Sequence, residues 1–365
     1  MIHLVYPHRE TIAAPDVIGS TLARQLSARH ALKCHNLDSL YRIAPEPGDI
    51  LIGHAHPMPG TVFRRSVGSD NWRRKILLQP FNGDWNQVGF LDDVIDQCDL
   101  FLAITGRYWF DLAPETRAAR WVPKMVHVDL AVDPTSFPPL RQQVSPAGSR
   151  KALYIGNDHP GKNLPYLAAV AKAWGGTIDW AGRGTPQPPL RPMGFVDFST
   201  PQGRALLSQY DMLITLGSAD ANPTTVLEAL AWGMVPVCTP TSGYIGERCI
   251  INVPGDNIAA VCATLDRLQH AADSEIQALR DEGLRRIDVH YNWQRLVGQV
   301  EDAIASSASP QLIPRADASA RPPEIRFKPA FRILAKNIAY LLERLVPGFT
   351  LRGRRAIWLR NLLKL

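Results

Sequence analysis

Cysteine is scarce and unpatterned in this chain of 365 residues. The five (Cys34, Cys98, Cys238, Cys249 and Cys262) form no Cys-x-x-Cys pair and are odd in number, so reduced thiols are expected rather than a disulfide framework. Cys98 and Cys238 fall in apolar runs, where burial is the natural fate of a thiol. No apolar run reaches the ~18 residues that a membrane-spanning helix needs. The opening Met-Ile-His-Leu-Val-Tyr-Pro lacks a basic region and a long apolar core, so no signal peptide is expected and a cytoplasmic location is. There is also no self-similarity at a solenoid period. With 45% hydrophobic and 20% charged residues, the composition is that of an ordinary soluble globular protein, long enough for two domains with separate cores.

Charge is unevenly placed. Residues 321–365 hold eleven Arg and Lys against two Glu, a net of +9 in a chain of +6, so the rest carries −3. Within this tail Phe331, Leu334, Ile338, Leu341, Leu342 and Leu345 recur at helical spacing. A second apolar cluster around Trp358 lies among Arg354, Arg355, Arg360 and Lys364, and Pro347-Gly348 divides the two. Basic amphipathic helices of this kind suit an anionic headgroup layer. The competing readings are helices packed back on the protein and, without any reader motif, nucleic-acid binding; membrane association is preferred and no nucleic acid is expected.

The most informative segment runs from Ser218 to Val237. Asn222 is a good helix cap, Pro223 suits a first turn, Thr224 to Trp232 continues as helix and Gly233 supplies a left-handed stop. The free N–H groups of such a start, around residues 223–226, favour an anion, which makes Asn222, Pro223, Thr224 and Thr225 candidates for donor binding. Two acids bracket it: Asp220 before the cap, and Glu228 inside an otherwise apolar helical run.

The acidic pair, the helix and the Pro236-Val237 strand after it resemble retaining nucleotide-sugar glycosyltransferases of the family-four, two-Rossmann (GT-B) kind. The resemblance implies that Glu228 binds the ribose and that the residues between the acids touch diphosphate and sugar. It places Asp220 at the sugar ring, although the family usually has Glu at that position. Lys151 to Gly156 reads as a buried strand emptying into Asn157-Asp-His-Pro-Gly-Lys-Asn163. This loop is similar to the family's phosphate cradle, in which an arginine and a lysine neutralise the leaving diphosphate. Lys162 matches the lysine, but Asn157 stands where the arginine is usual. Arg183, in Ala181-Gly-Arg-Gly-Thr185 with Gly184, is the candidate replacement, and Met193-Gly-Phe-Val196 resembles the family segment whose backbone reads the base, here at Phe195 and Val196.

Strand and helix alternate through both halves, which argues for parallel sheets with ligands at the carboxyl ends of their strands. Strands are expected over Ile2–Tyr6, Asp49–Gly53, Lys75–Leu78 and Leu100–Thr105, with helices over Val17–Ala28 and Phe90–Gln97. In the second half, strands are expected over Thr177–Ala181 and Met212–Leu216, and helices over Leu164–Trp174 and Pro201–Tyr210. The expected architecture is α/β, with two Rossmann-like domains facing a cleft and basic amphipathic C-terminal helices. Its divisions are an acceptor domain over 1–135, a Pro-rich hinge over 136–150, a donor domain over 151–305, a linker over 306–324 and the tail over 325–365. The Val-Asp-(three residues)-Phe-Pro pattern from Val132 also resembles the family's interdomain linker.

The acceptor half departs further from the family. A single glycine stands where a Gly-Gly loop is common, which makes His8 and Arg9 side-chain candidates. Gln79-Pro-Phe-Asn-Gly-Asp84 replaces a segment that often carries a histidine, so Asn82 and Asp84 are candidates to orient an acceptor hydroxyl. His54 and His56 end a strand on one face. No third or fourth ligand stands at sensible spacing, so acceptor-contacting or structural histidines are expected and no metal is. No cofactor is expected beyond a nucleotide diphosphate sugar as donor substrate. The activity implied is retaining transfer from that donor to a saccharide or lipid-linked hydroxyl, in polysaccharide or glycolipid assembly on the inner membrane face. The alternatives are a nucleotide-sugar epimerase and a non-catalytic nucleotide-sugar-binding protein.

Overall fold

The computed structural model describes residues 1–7, 14–80, 85 and 88–306. The candidates His8, Arg9, Asn82 and Asp84 lie outside the described residues, as do the tail over 325–365 and all but the first residue of the expected linker.

The first half holds six strands: β1 (Ile2–Val5), β2 (Leu32–His35), β3 (Ile50–Gly53), β4 (Arg74–Pro80), β5 (Leu100–Ile104) and β6 (Met125–His127). All pairings are parallel, in the order β2-β1-β3-β4-β5-β6. β5, Leu-Phe-Leu-Ala-Ile, is buried at every residue, as a strand covered on both faces must be. The expected strands were legible for this reason. Helix α1 (Ala14–Ser27) covers one face, and α2 (Val62–Ser66), α3 (Asp92–Ile95) and α4 (Arg107–Leu112) follow. The helix expected over Phe90–Gln97 is shorter than its pattern: a 3₁₀ turn at Gly89–Leu91 precedes α3.

The second half repeats the plan with β7 (Ala152–Ile155), β8 (Ile178–Ala181), β9 (Arg191–Gly194), β10 (Met212–Thr215), β11 (Val235–Cys238) and β12 (Ile251–Asn252). Their order is β12-β11-β10-β7-β8-β9, again parallel. The connecting helices are α5 (Leu164–Trp174), α6 (Pro201–Leu207), α7 (Thr224–Trp232), α8 (Ile258–His270), α9 (Asp273–Val289) and α10 (Trp293–Ala305). α5 and α7 both stop at glycines in the left-handed conformation, Gly175 and Gly233, where a side chain would be strained.

Each sheet reverses its strand order once, between β1 and β3 in the first and between β7 and β10 in the second. Such switch points open a crevice at the carboxyl ends of the strands. The two crevices share a cleft, because the turn after β5 meets the loop after β11. Gly106 and Gly243 pack backbone to backbone, each with positive φ, and a Cβ on Gly106 would stand 2.5 Å from the Gly243 Cα. Across the same seam the Trp109 indole donates to the Thr241 carbonyl at 2.8 Å and the Tyr108 N–H to the Gly243 carbonyl at 3.2 Å.

The halves are also strapped at the back. α10 follows the second half in sequence but crosses to α1, where Arg29 and His30 meet Glu301 at 2.6 and 3.3 Å. At the end of α9, His290 donates to buried Asp129 at 2.8 Å, beside His127. Burial holds the His127 imidazole below its usual value, against the opposing pull of Asp129.

Candidate functional site

The loops leaving β7 and β10 flank the second switch point, and they are joined. The Gly161 carbonyl accepts from Ser218 N–H at 2.9 Å and from Ala219 N–H at 3.2 Å. Gly161 has no room for a side chain, since a Cβ would lie 2.6 Å from the Ala219 carbonyl oxygen. The β7 loop thereby sets Lys162 against the β10 loop, and Lys162 Nζ donates to Asp220 Oδ2 at 2.6 Å. Both side chains are largely covered, at 21% and 13% exposure. The loop is braced from below by Thr239 and Thr241, whose hydroxyls donate to the Gly217 carbonyl at 2.6 and 2.5 Å.

Asp220 leads into α7 through Ala221, which is buried in the core of the first half with Tyr108 and Trp109. The entry to α7 therefore spans the seam. Its capping differs from the sequence expectation: Pro223 takes the cap position in extended backbone, the first helical residue is Thr224, and no side chain among the described residues caps the helix. Asn222 adopts the left-handed conformation (φ 51°) and its N–H donates to the Ser242 carbonyl at 2.8 Å. The residue is 4% exposed, and among the described residues neither carboxamide atom has a hydrogen-bond partner. A buried amide left this way costs ~1–3 kcal/mol.

Glu228 lies one turn into α7. Burial pushes its carboxyl up to about 7, with smaller opposing effects from a hydrogen bond to Thr224 and the charge of Lys162. One neutralised cation, one neutralised acid and one acid poised near neutrality thus surround the uncapped helix start, whose backbone dipole favours an anion.

Asn157, in place of the expected arginine, is exposed and turned inward on its own loop. Its Oδ1 accepts from His159 N–H at 3.1 Å and its carbonyl from the Tyr154 hydroxyl at 2.9 Å. Gly156 and Gly184 both have positive φ, and Gly184 packs tightly on Asp158, which accepts from Thr185 N–H at 2.9 Å. Arg183 is exposed, and its guanidinium lies 4.4 Å over the Phe195 ring, itself 53% exposed. β9 ends at Gly194, so Phe195 and Val196 stand just beyond the strand.

In the first half, His54 and His56 follow β3 at the other switch point. The His54 ring packs edge-on to Tyr6, with centroids 5.7 Å apart, and is pushed down to about 3, by burial first and by His56 second. His56 Nδ1 accepts from Met58 N–H at 3.0 Å. Gln79, which was not among the site candidates although it opens the segment that holds Asn82 and Asp84, bridges the ends of β3 and β4 by bonds to Ala55 and His54. Among the described residues no group of three or more His, Cys, Asp or Glu could hold a metal ion, and no helix is long and apolar enough to cross a membrane. All five cysteines are free thiols, with Cys98, Cys238 and Cys249 buried.

No model of a known protein family matches the chain, and no curated protein matches it in sequence. The likeness is to solved structures. Sucrose-phosphate synthase from Thermosynechococcus elongatus aligns at TM-score 0.58 and 14% identity over 82% of this chain and 97% of that one. A glycosyltransferase from Rickettsia africae aligns at TM-score 0.60 and 11% identity, over 84% and 99%. The chain has the GT-B fold. A third GT-B relative in structure, TarM, aligns at TM-score 0.53 and 12% identity over 71% of this chain, which spans 55% of its length. In GT-B terms, the second half is the one whose switch point carries the paired Lys162 and Asp220.

Proposed function

We propose that this chain moves a glycosyl group from a nucleoside diphosphate sugar to an acceptor hydroxyl with retention at the anomeric carbon. The observation that carries the reading is the meeting of Lys162 and Asp220 at the second switch point, beside the uncapped start of α7. A cation and helix N–H groups suit a diphosphate, and carboxylates suit the hydroxyls of ribose and sugar.

In this reading the Lys162 ammonium and the helix start from Asn222 to Thr225, through the Asn222 carboxamide and the N–H groups of Thr224 and Thr225, stabilise the departing diphosphate, where charge develops. Glu228 accepts from the ribose hydroxyls, and Asp220 from the sugar. Arg183 supplies the cation missing at Asn157; it makes no ion pair among the described residues and stands where it can stack on Phe195 and reach a phosphate. Phe195 and Val196 border the base, and His54 and His56 face the acceptor. The acceptor oxygen bonds to the anomeric carbon as the carbon–oxygen bond to the phosphate breaks, and the acceptor proton passes to the departing phosphate oxygen. No protein nucleophile or metal ion is needed. A lipid-linked or polysaccharide acceptor at the inner membrane face accounts for the basic tail over 325–365.

The test is to incubate the full chain with nucleoside diphosphate sugars and saccharide acceptors and read the anomeric coupling of the product by NMR. A product of the donor's own anomeric configuration is expected. A rearranged sugar formed without acceptor indicates an epimerase, and tight donor binding with no turnover indicates a binding protein.

A further inference from the structure

The first switch point holds a proton assignment that the hydrogen bonds alone determine. Gln79, near the end of β4, sits between Ala55 and His54. The Ala55 N–H can only donate, so the Gln79 side-chain oxygen accepts from it, at 3.0 Å. This turns the Gln79 NH₂ toward His54 Nε2, also at 3.0 Å. An amide NH₂ has no lone pair to offer, so His54 Nε2 must accept, and its single ring proton sits on Nδ1. The backbone leaves little freedom to evade this, because His54 N–H donates to the Val5 carbonyl at 2.8 Å and ties the residue to β1.

Among the described residues, His54 Nδ1–H is buried and has no hydrogen-bond partner. An imidazolium would place two donors face to face at Nε2, so the ring is neutral on geometric grounds, and burial acts in the same direction. An unmade buried N–H is costly, and this one stands at a strand-order reversal, where open α/β sheets take their ligands. A neutral donor in a sheltered setting matches a hydroxyl or ring oxygen, which accepts one hydrogen bond without bringing in charge.

We propose that Gln79 is a positioning residue that locks His54 as a neutral Nδ1–H donor, held for an oxygen of a saccharide acceptor. The saccharide half of this inference rests on the transferase reading; the tautomer does not.

The test is long-range proton–nitrogen NMR of the full chain labelled with ¹⁵N-histidine, from pH 5 to 8, with methyl α-D-glucopyranoside as the saccharide probe. In the wild type, His54 should show a protonated Nδ1 and a bare Nε2 throughout, and the glucoside should shift Nδ1 saturably and equally at every pH. In Gln79→Glu the carboxylate accepts from Nε2 instead, so His54 gains a titration, and the glucoside response is present at low pH and lost as Nδ1 gives up its proton. A wild-type His54 carrying its proton on Nε2, or titrating in this range, overturns the lock. An Nδ1 that ignores the glucoside up to molar concentration overturns the saccharide contact. Failure of the wild type to bind any nucleoside diphosphate would instead refute the transferase reading and leave the tautomer assignment intact.

Discussion

Lys162 and Asp220 stand 58 residues apart in sequence and form an ion pair of 2.6 Å in the fold. The pairing holds both side chains at the mouth of α7, and it means that Lys162 must exchange a carboxylate for phosphate oxygens when donor arrives. Lys162→Ala is therefore expected to lower turnover at saturating donor by more than ~100-fold, because a cation is removed from the leaving group as its charge develops. Steady-state kinetics check this. A raised KM with normal kcat would mean that the lysine contributes equally to ground and transition states.

Glu228 gives the site a pH dependence of defined sign. Its folded carboxyl binds a proton more tightly than in the unfolded chain, so its contribution to stability is full below the ordinary carboxylate range and is lost as pH rises through about 7. Ribose hydroxyls favour the ionised form, so donor binding should run the other way and tighten as pH rises from 6 to 8. A nucleoside diphosphate sugar is the right ligand for calorimetry, since its phosphates do not titrate there. Glu228→Gln should weaken binding by ~1.5–3 kcal/mol and flatten the pH profile.

Asn222 is a candidate for a trade between stability and binding. Glycine tolerates its left-handed backbone without strain and removes two unsatisfied buried atoms. Asn222→Gly should raise the unfolding free energy of the ligand-free protein by ~1 kcal/mol and weaken donor binding. Denaturant unfolding and calorimetry read the two effects separately. A destabilised variant would mean that the carboxamide is already satisfied in the ligand-free protein.

Much of the fold was legible in the sequence because parallel strands buried on both faces read as short apolar runs. β1, β5, β7 and β10 are of this kind. β2, Leu-Lys-Cys-His, was not legible: it is an edge strand with two exposed residues and no clear alternation. In the second half, Lys162, Asp220 and Glu228 stood out because each is a charge beside a glycine turn or inside an apolar helix. Their pairing did not, since it depends on sheet order placing β7 beside β10. Pattern also misassigned the cap of α7, where Asn222 has the right chemistry but Pro223 takes the position. The segment that Gln79 opens was singled out, but for Asn82 and Asp84; a glutamine at the end of a strand has no period or spacing to betray its own role.

The basic segment over 321–365 is expected to act additively. Each Arg or Lys near an anionic leaflet is worth ~1 kcal/mol at most, and apolar side chains add burial. Deleting 321–365 should leave a folded, nucleotide-binding protein that no longer sediments with anionic vesicles. Salt should weaken the full-length interaction only in part, because apolar burial is not screened. Vesicle binding that survives the deletion would place the contact elsewhere on the protein.

The most direct test of the donor site is a thermal-shift titration of the wild type with the common nucleoside diphosphates, repeated on Lys162→Ala with Glu228→Gln. Specific binding stabilises the fold by mass action, ~2.7 kcal/mol at a hundredfold excess over Kd. The account predicts that at least one nucleoside diphosphate raises the wild-type Tm saturably and that the double variant loses the shift. A wild type that responds to none of them, or a double variant that responds equally well, would contradict it.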